Sequence, residues 1–104
     1  MPKVQIRRIE IYDLQQLEAA VADFLGHANR IRIKRSKRVL LKPNLLGAFP
    51  PERAVTTHPV LLEALILHFL ELGKEVWIGD SPGGTANVEQ VWQACGLKDL
   101  ANRY

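Results

Sequence analysis

The sequence has a single cysteine, Cys95, and this scarcity excludes several kinds of site. One thiol cannot form a disulfide within the chain. It also cannot supply a four-thiolate zinc or iron–sulfur centre from these 104 residues alone. We therefore expect no such centre in this segment, and we interpret Cys95 as a small core residue.

Long apolar runs are also missing. The first residues, MPKVQIRRIEIY, lack the apolar stretch of a secretory signal, and no run approaches the ~20 apolar residues that span a bilayer. We therefore expect a cytoplasmic protein with no membrane association. A hydrophobic fraction of 47% and a charged fraction of 24% are typical of a folded chain. Residues 1–104 are expected to form a single α/β domain or the N-terminal fragment of a larger domain.

Acidic residues are absent from the stretch RIRIKRSKR, residues 30–38. Such a basic run could meet phosphates or anionic lipid headgroups. However, no aromatic residue lies within it, and no helix-turn-helix, zinc-finger or RNA-recognition motif accompanies it. We interpret the run as a solvated linker and do not expect nucleic-acid binding.

The rest of the chain alternates strand-like and helix-like patterns. Strands are predicted over residues 4–12, 38–42 and 75–80, and helices from Asp13 to about Ala28, from Pro59 to Leu72, and from Asn87 to Gly96. The first strand is expected at an edge or with a bulge, because its alternation slips at Arg7 and Arg8. The pattern predicts a βαβαβα unit of three-layer type with a short parallel sheet, which is half of a doubly wound α/β fold.

The predicted helix 59–72 is apolar around most of its circumference. One face of a sheet would not cover all of it. We expect the remainder to be buried by the rest of a full-length chain or by a second copy in a homo-oligomer. An alternative function for the chain is therefore a non-catalytic structural or oligomerisation module.

Polar residues gather in the loops after the second and third predicted strands. Ligands of open α/β sheets bind beyond the carboxyl ends of the strands, and both loops lead to helix N-termini, which favour anions. The candidate ligand-binding residues are Lys42, Asn44, Thr56, Thr57, His58, Asp80, Ser81 and Gly83. A small anion such as phosphate, sulfate or a carboxylate is the expected ligand, because these residues supply mainly hydrogen-bond donors and positive potential.

Several of these residues also have structural interpretations. Thr56 and Thr57 can cap a helix, and Asp80 can cap the turn formed by SPGG. His58 faces the positive end of a helix dipole, which favours the neutral imidazole and leaves a nitrogen free for a proton or a metal. A divalent metal on His58 and Asp80 is the competing occupant, but it would need a further protein ligand that the neighbouring sequence does not offer.

Known catalytic motifs are not satisfied. GDSPG, residues 79–83, has the letters of a Gly-x-Ser-x-Gly nucleophile elbow. However, Pro82 lacks the N–H that the oxyanion hole requires, and both His58 and His68 precede Ser81. The glycine patterns of dinucleotide-binding and P-loop proteins are absent as well. The sequence therefore identifies no catalytic residue and no reaction.

Three segments, RVLLKPNLL, AVTTHPVLLEALILHFLELG and EVWIGDSPGG, resemble in order and spacing the N-terminal part of the family called domain of unknown function 362. The resemblance covers roughly residues 36–96, and the basic run 30–38 departs from its pattern. It implies an α/β domain of unassigned chemistry that is often found in larger proteins with ferredoxin-like iron–sulfur modules. Any such cluster would lie elsewhere in a full-length protein or on a partner. A weaker likeness, at the level of fold alone, is to the nickel-pincer lactate racemase family.

The resemblance places three short motifs of this sequence on characteristic positions of the family. These positions are Lys42, Pro43 and Asn44, then Thr56, Thr57, His58 and Pro59, and then Gly79, Asp80, Ser81, Pro82 and Gly83.

Overall fold

The structure is a computed structural model that describes residues 3–27, 30–84 and 86–104. Its elements are α1 Leu14–His27, α2 Arg30–Arg35, β1 Arg38–Leu41, a 3-10 turn Pro51–Arg53, α3 Pro59–Glu71, β2 Glu75–Ile78, α4 Val88–Ala94 and α5 Leu97–Arg103. The two strands pair in parallel, with α3 as the crossover between them. The predicted α/β class and its short parallel sheet are confirmed.

The two faces of the sheet differ in how they are covered. Leu41 of β1 belongs to the main core cluster, and Val39 packs against it. The other members of the cluster are Leu45, Leu62, Ile66, Phe69, Val91, Cys95, Leu97 and Leu100. On the opposite face, Leu40 and Trp77 are more than half exposed. Within the described residues, helices therefore cover one face of the sheet, whereas a doubly wound fold covers both.

The predicted first strand is wrong over the described residues 3–12, which contain no regular element. Instead, an ion pair between Arg7 and Asp23 fastens this N-terminal segment to α1, and Ile9 packs beside Leu17. Val4 and Ile6 are left exposed. A β-branched sequence forms a strand only where a neighbouring strand completes the ladder, and β1 and β2 pair with each other.

The basic run is helical rather than an irregular linker. Residues 30–35 form α2, because Arg, Lys and Ile outside β-pairing have adequate helix propensity and Ile33 packs against the core. Arg32, Lys34 and Arg35 remain exposed, so the expectation that the charges are solvated agrees with the structure. The prediction of an irregular linker is therefore wrong for the backbone of residues 30–35, but it describes the exposure of these three side chains correctly.

Helix α1 begins where it was predicted and covers the part of α3 that the sheet leaves free. Asp13 caps it by accepting the Gln16 N–H at 2.9 Å, while its predicted end at Ala28 lies outside the described residues. Leu17 and Val21 form a second core cluster with Ala64 of α3. Part of the apolar surface of α3 is therefore buried within the chain, and burial of helix 59–72 by a partner stays a prediction.

The C-terminal residues form a helix that was not predicted. Asn87 caps α4 as expected, accepting the Gln90 N–H at 3.2 Å. After α4, Gly96 adopts a left-handed conformation with φ of 79°, and the chain enters α5. Leu97 and Leu100 of α5 are fully buried. No helix in the described ranges has both the length and the apolar content needed to cross a membrane.

Gly96 should tolerate substitution poorly. We expect Gly96→Ala to lower the free energy of unfolding by about 1–2 kcal/mol, because its φ disfavours a side chain and the new Cβ would lie 3.3 Å from Cγ of Pro59. Gly83→Ala is the matched control, since a Cβ there meets nothing within 4 Å. Urea denaturation of both variants tests this, and equal midpoints for the two variants would contradict it.

Candidate functional site

The carboxyl ends of β1 and β2 lie side by side, and the side chains that follow them form an ion pair. Lys42 Nζ lies 3.0 Å from Asp80 Oδ1, where the Asp80 side chain is 15% exposed and that of Lys42 is 72% exposed. The ladder continues towards this point, because the Gly79 N–H donates to the Leu41 carbonyl at 3.1 Å. The structure therefore brings together the loops after the two strands, and the ammonium group keeps donors beyond the one that faces Asp80.

Asn44 and Thr57 are also brought together, and they bond to each other. The Asn44 N–H donates to the Thr57 hydroxyl at 2.9 Å, and the Thr57 N–H donates to the Asn44 carbonyl at 3.0 Å. The Asn44 side-chain amide donates to the Val55 carbonyl at 3.1 Å. These contacts close the loop from residue 44 to residue 57 into a fixed shape. Thr57 therefore has a structural role, but its hydroxyl stabilises this loop and does not cap α3.

Thr56 is buried, and the described residues give its hydroxyl no hydrogen-bond partner. A buried polar group without a partner carries a desolvation cost and is usually satisfied by a water or a ligand. Thr56 is therefore a buried candidate residue whose hydroxyl makes no hydrogen bond to any residue that the structure describes.

His58 is the N-cap of α3. Its Nδ1 accepts the Val60 N–H at 3.2 Å, and its ring stacks on Tyr12 with centroids 3.7 Å apart and planes 9° apart. Burial lowers the pKa of His58 below its ordinary value, and the nearby Glu52 carboxylate opposes this shift by raising it. The neutral imidazole has its lone pair at Nδ1 and its proton at Nε2. It therefore offers a hydrogen-bond donor rather than the free lone pair that a metal requires.

The first turn of α3 has few backbone donors left for an anion. Pro59 has no N–H, the Val60 N–H is bound by His58, and the Leu61 N–H donates to the His58 carbonyl at 3.1 Å. The helix dipole still favours negative charge. The first turn of α3 therefore leaves the ion-paired Lys42 and the loop after β2 as the other sources of hydrogen-bond donors at this edge.

The loop after β2 is open. Ser81, Gly83 and Gly84 are exposed, and a Cβ added at either glycine would meet nothing within 4 Å. Among the residues that the structure describes, no group of three or more His, Cys, Asp or Glu side chains could hold a metal ion.

Two neighbours of the site did not follow from the sequence analysis. Tyr12 stacks on His58 from the N-terminal segment, and no local pattern links the two residues. Cys95, expected only as a core residue, is indeed fully buried, and its thiol lies 3.5 Å from the carbonyl oxygens of Gly47 and Phe49. It therefore supports the loop after β1 from beneath.

The family model described as "Domain of unknown function (DUF362)" matches residues 39–104, which extend from β1 to the last residue of the sequence and include all eight candidate residues. Comparison with curated proteins and with solved structures gives no match. The match covers well over half of the chain, and the chain therefore belongs to this family, Domain of unknown function (DUF362).

Proposed function

We propose that the edge formed by the loops after β1 and β2 binds a small anion such as phosphate, sulfate or a carboxylate. The observation that carries this proposal is the ion pair between Lys42 and Asp80, which joins the two loops and leaves the ammonium largely exposed. An anion would use the remaining ammonium donors and the exposed hydroxyl of Ser81. The unobstructed main chain at Gly83 would allow close approach.

Two further groups support an oxygen-rich ligand. The segment that leads into α3 carries the Thr56 hydroxyl, which has no partner among the described residues, and the Nε2–H of neutral His58. Thr57 joins this segment to Asn44 in the loop after β1. Against them, the carboxylate of Asp80 repels an anion and competes for Lys42. We therefore expect weak binding, in the millimolar range.

The test is a titration of the chain with inorganic phosphate, in which two-dimensional NMR records the amide chemical shifts. We expect saturable shifts at Lys42, Ser81 and Gly83. Lys42→Ala should weaken phosphate binding at least about fivefold, because it removes the cation at the centre of the site. A matched titration with sodium chloride separates binding from a general effect of ionic strength.

Lys37→Ala is the control variant. Lys37 is an exposed lysine just before β1, at the opposite end of the strand from Lys42. If both lysine variants weaken phosphate binding equally, the effect is general electrostatics and the proposed site is wrong. Shifts with zinc or nickel alone, and none with phosphate, would favour the metal alternative.

In a full-length protein we propose that this edge forms the ligand-binding half of an iron–sulfur-associated assembly. The proposal depends on family resemblance, and the buried thiol of Cys95 means that cluster ligands would come from outside residues 1–104. The second candidate function is a structural or oligomerisation module, which the exposed Leu40 and Trp77 on the open sheet face favour. Analytical ultracentrifugation that shows a monomer at all concentrations would count against the homo-oligomeric form of that module.

A further inference from the structure

We propose that His58 is a pH-sensitive cap of α3, closed at neutral pH and open in acid. The cap combines three hydrogen bonds at one residue. Nδ1 of His58 accepts the Val60 N–H at 3.2 Å, and the His58 carbonyl accepts the N–H groups of Leu61 and Leu62 at 3.1 and 3.3 Å. The side-chain bond requires a lone pair on Nδ1, which is present only in the neutral imidazole.

Protonation removes that lone pair and places a second donor opposite the Val60 N–H. The new positive charge would also face the positive end of the α3 dipole. Both effects act against the closed cap, whereas aspartate or asparagine at the same position would continue to accept the bond. The choice of histidine as the N-cap of α3 thus makes the start of this helix dependent on pH.

The groups around the imidazole determine the pH at which the cap opens. Tyr12 stacks on the ring from the N-terminal segment, and this contact tolerates an imidazolium. Glu52, from the 3-10 turn, raises the pKa of His58, while burial lowers it and is the larger effect. Because the pKa in the folded state lies below the unfolded value of about 6.5, the stabilisation is complete above that value and is lost as the pH falls through the folded pKa.

Opening of the cap would reach the candidate binding edge. Thr57, the residue before His58, holds Asn44 by two hydrogen bonds. Release of the α3 N-terminus would therefore loosen the loop after β1 as well. This inference does not depend on the anion proposal, since the cap is a property of the chain without a ligand.

The experiment is an NMR titration of the chain 1–104 from pH 8 to pH 5. Long-range nitrogen–proton correlations should show the Nε2–H tautomer of His58 at pH 8. Exchange protection of the Val60 amide, corrected for intrinsic exchange, should fall about fivefold as His58 becomes protonated, which is the loss expected for one N-cap. His68, in the last turn of α3 and edge-on to Phe69, is the internal reference, because its imidazole accepts no bond at the N-terminus of a helix.

Two variants separate the cap from other acid effects. His58→Asn keeps an acceptor that does not titrate, so Val60 protection should stay constant from pH 8 to pH 5. In His58→Ala, the exchange protection of the Val60 amide should be as low at every pH as it is in the native chain with His58 protonated. An Nδ1–H tautomer at pH 8, a constant Val60 protection in the native chain while His58 titrates, or an unchanged pH response in His58→Asn would each overturn the proposal.

Discussion

Replacing Leu100 with alanine should lower the free energy of unfolding by about 3 kcal/mol. Leu100 lies in α5 with none of its surface exposed, and it belongs to the same core cluster as Leu62 and Ile66 of α3. Truncation leaves a cavity between helices that cannot collapse freely. The loss is a large share of the stability of a small domain.

Leu40→Ala is the matched control because it removes the same atoms from an exposed site. Leu40 is 61% exposed on the open face of the sheet, so this variant should change the free energy of unfolding by less than about 1 kcal/mol. Urea denaturation with unchanged slopes measures both variants. If Leu100→Ala is as mild as Leu40→Ala, α5 is not part of the core.

The sequence contains a local signal for α5. Leu97 and Leu100 are three residues apart, and Asp99 lies in the first turn, as helix starts favour. Gly96 was interpreted as the end of the preceding helix. In the structure its left-handed conformation ends α4 and begins α5.

Elements that are specified by local signals were predicted well. Helix α3 begins at Pro59, as predicted, and ends within one residue of its predicted end, which was placed just before Gly73. Asn87 marks the start of α4. The predicted strand at residues 4–12 depended on a partner strand that local pattern does not specify. This prediction is wrong because the strand depends on a tertiary contact that the local sequence pattern does not specify.

The candidate site shows the same division. Convergence of Lys42 and Asp80 followed from sheet topology, because the carboxyl ends of neighbouring parallel strands meet at one edge. The pairing of these two charges did not follow, and neither did the stacking of His58 on Tyr12. Such contacts depend on loop conformations and on distant segments, so residue types and spacing indicate the edge but not its internal bonds.

Glu63 and Arg103 form an ion pair whose two side chains differ in exposure. Glu63 of α3 has a side chain that is only 10% exposed, and its Oε1 accepts from Arg103 Nη1 at 2.9 Å and from the Tyr104 hydroxyl at 2.6 Å. The Arg103 side chain is 57% exposed. The hydrogen bond from Tyr104 to Glu63 is also the main reason why the pKa of Tyr104 is raised.

Glu63 is buried, whereas Arg103 is about half exposed. Removing Glu63 and removing Arg103 should therefore lower the free energy of unfolding by different amounts. Arg103→Met leaves a carboxylate with one donor and should cost about 2 kcal/mol, less than for a fully buried pair because Arg103 is partly solvated. Glu63→Met leaves Arg103 free to be hydrated and should cost less than about 1 kcal/mol. The double variant should recover most of the loss seen in Arg103→Met. Urea denaturation of all three measures the cycle, and a Glu63→Met variant as unstable as Arg103→Met would show that the ion pair itself, rather than the unpaired buried charge, dominates.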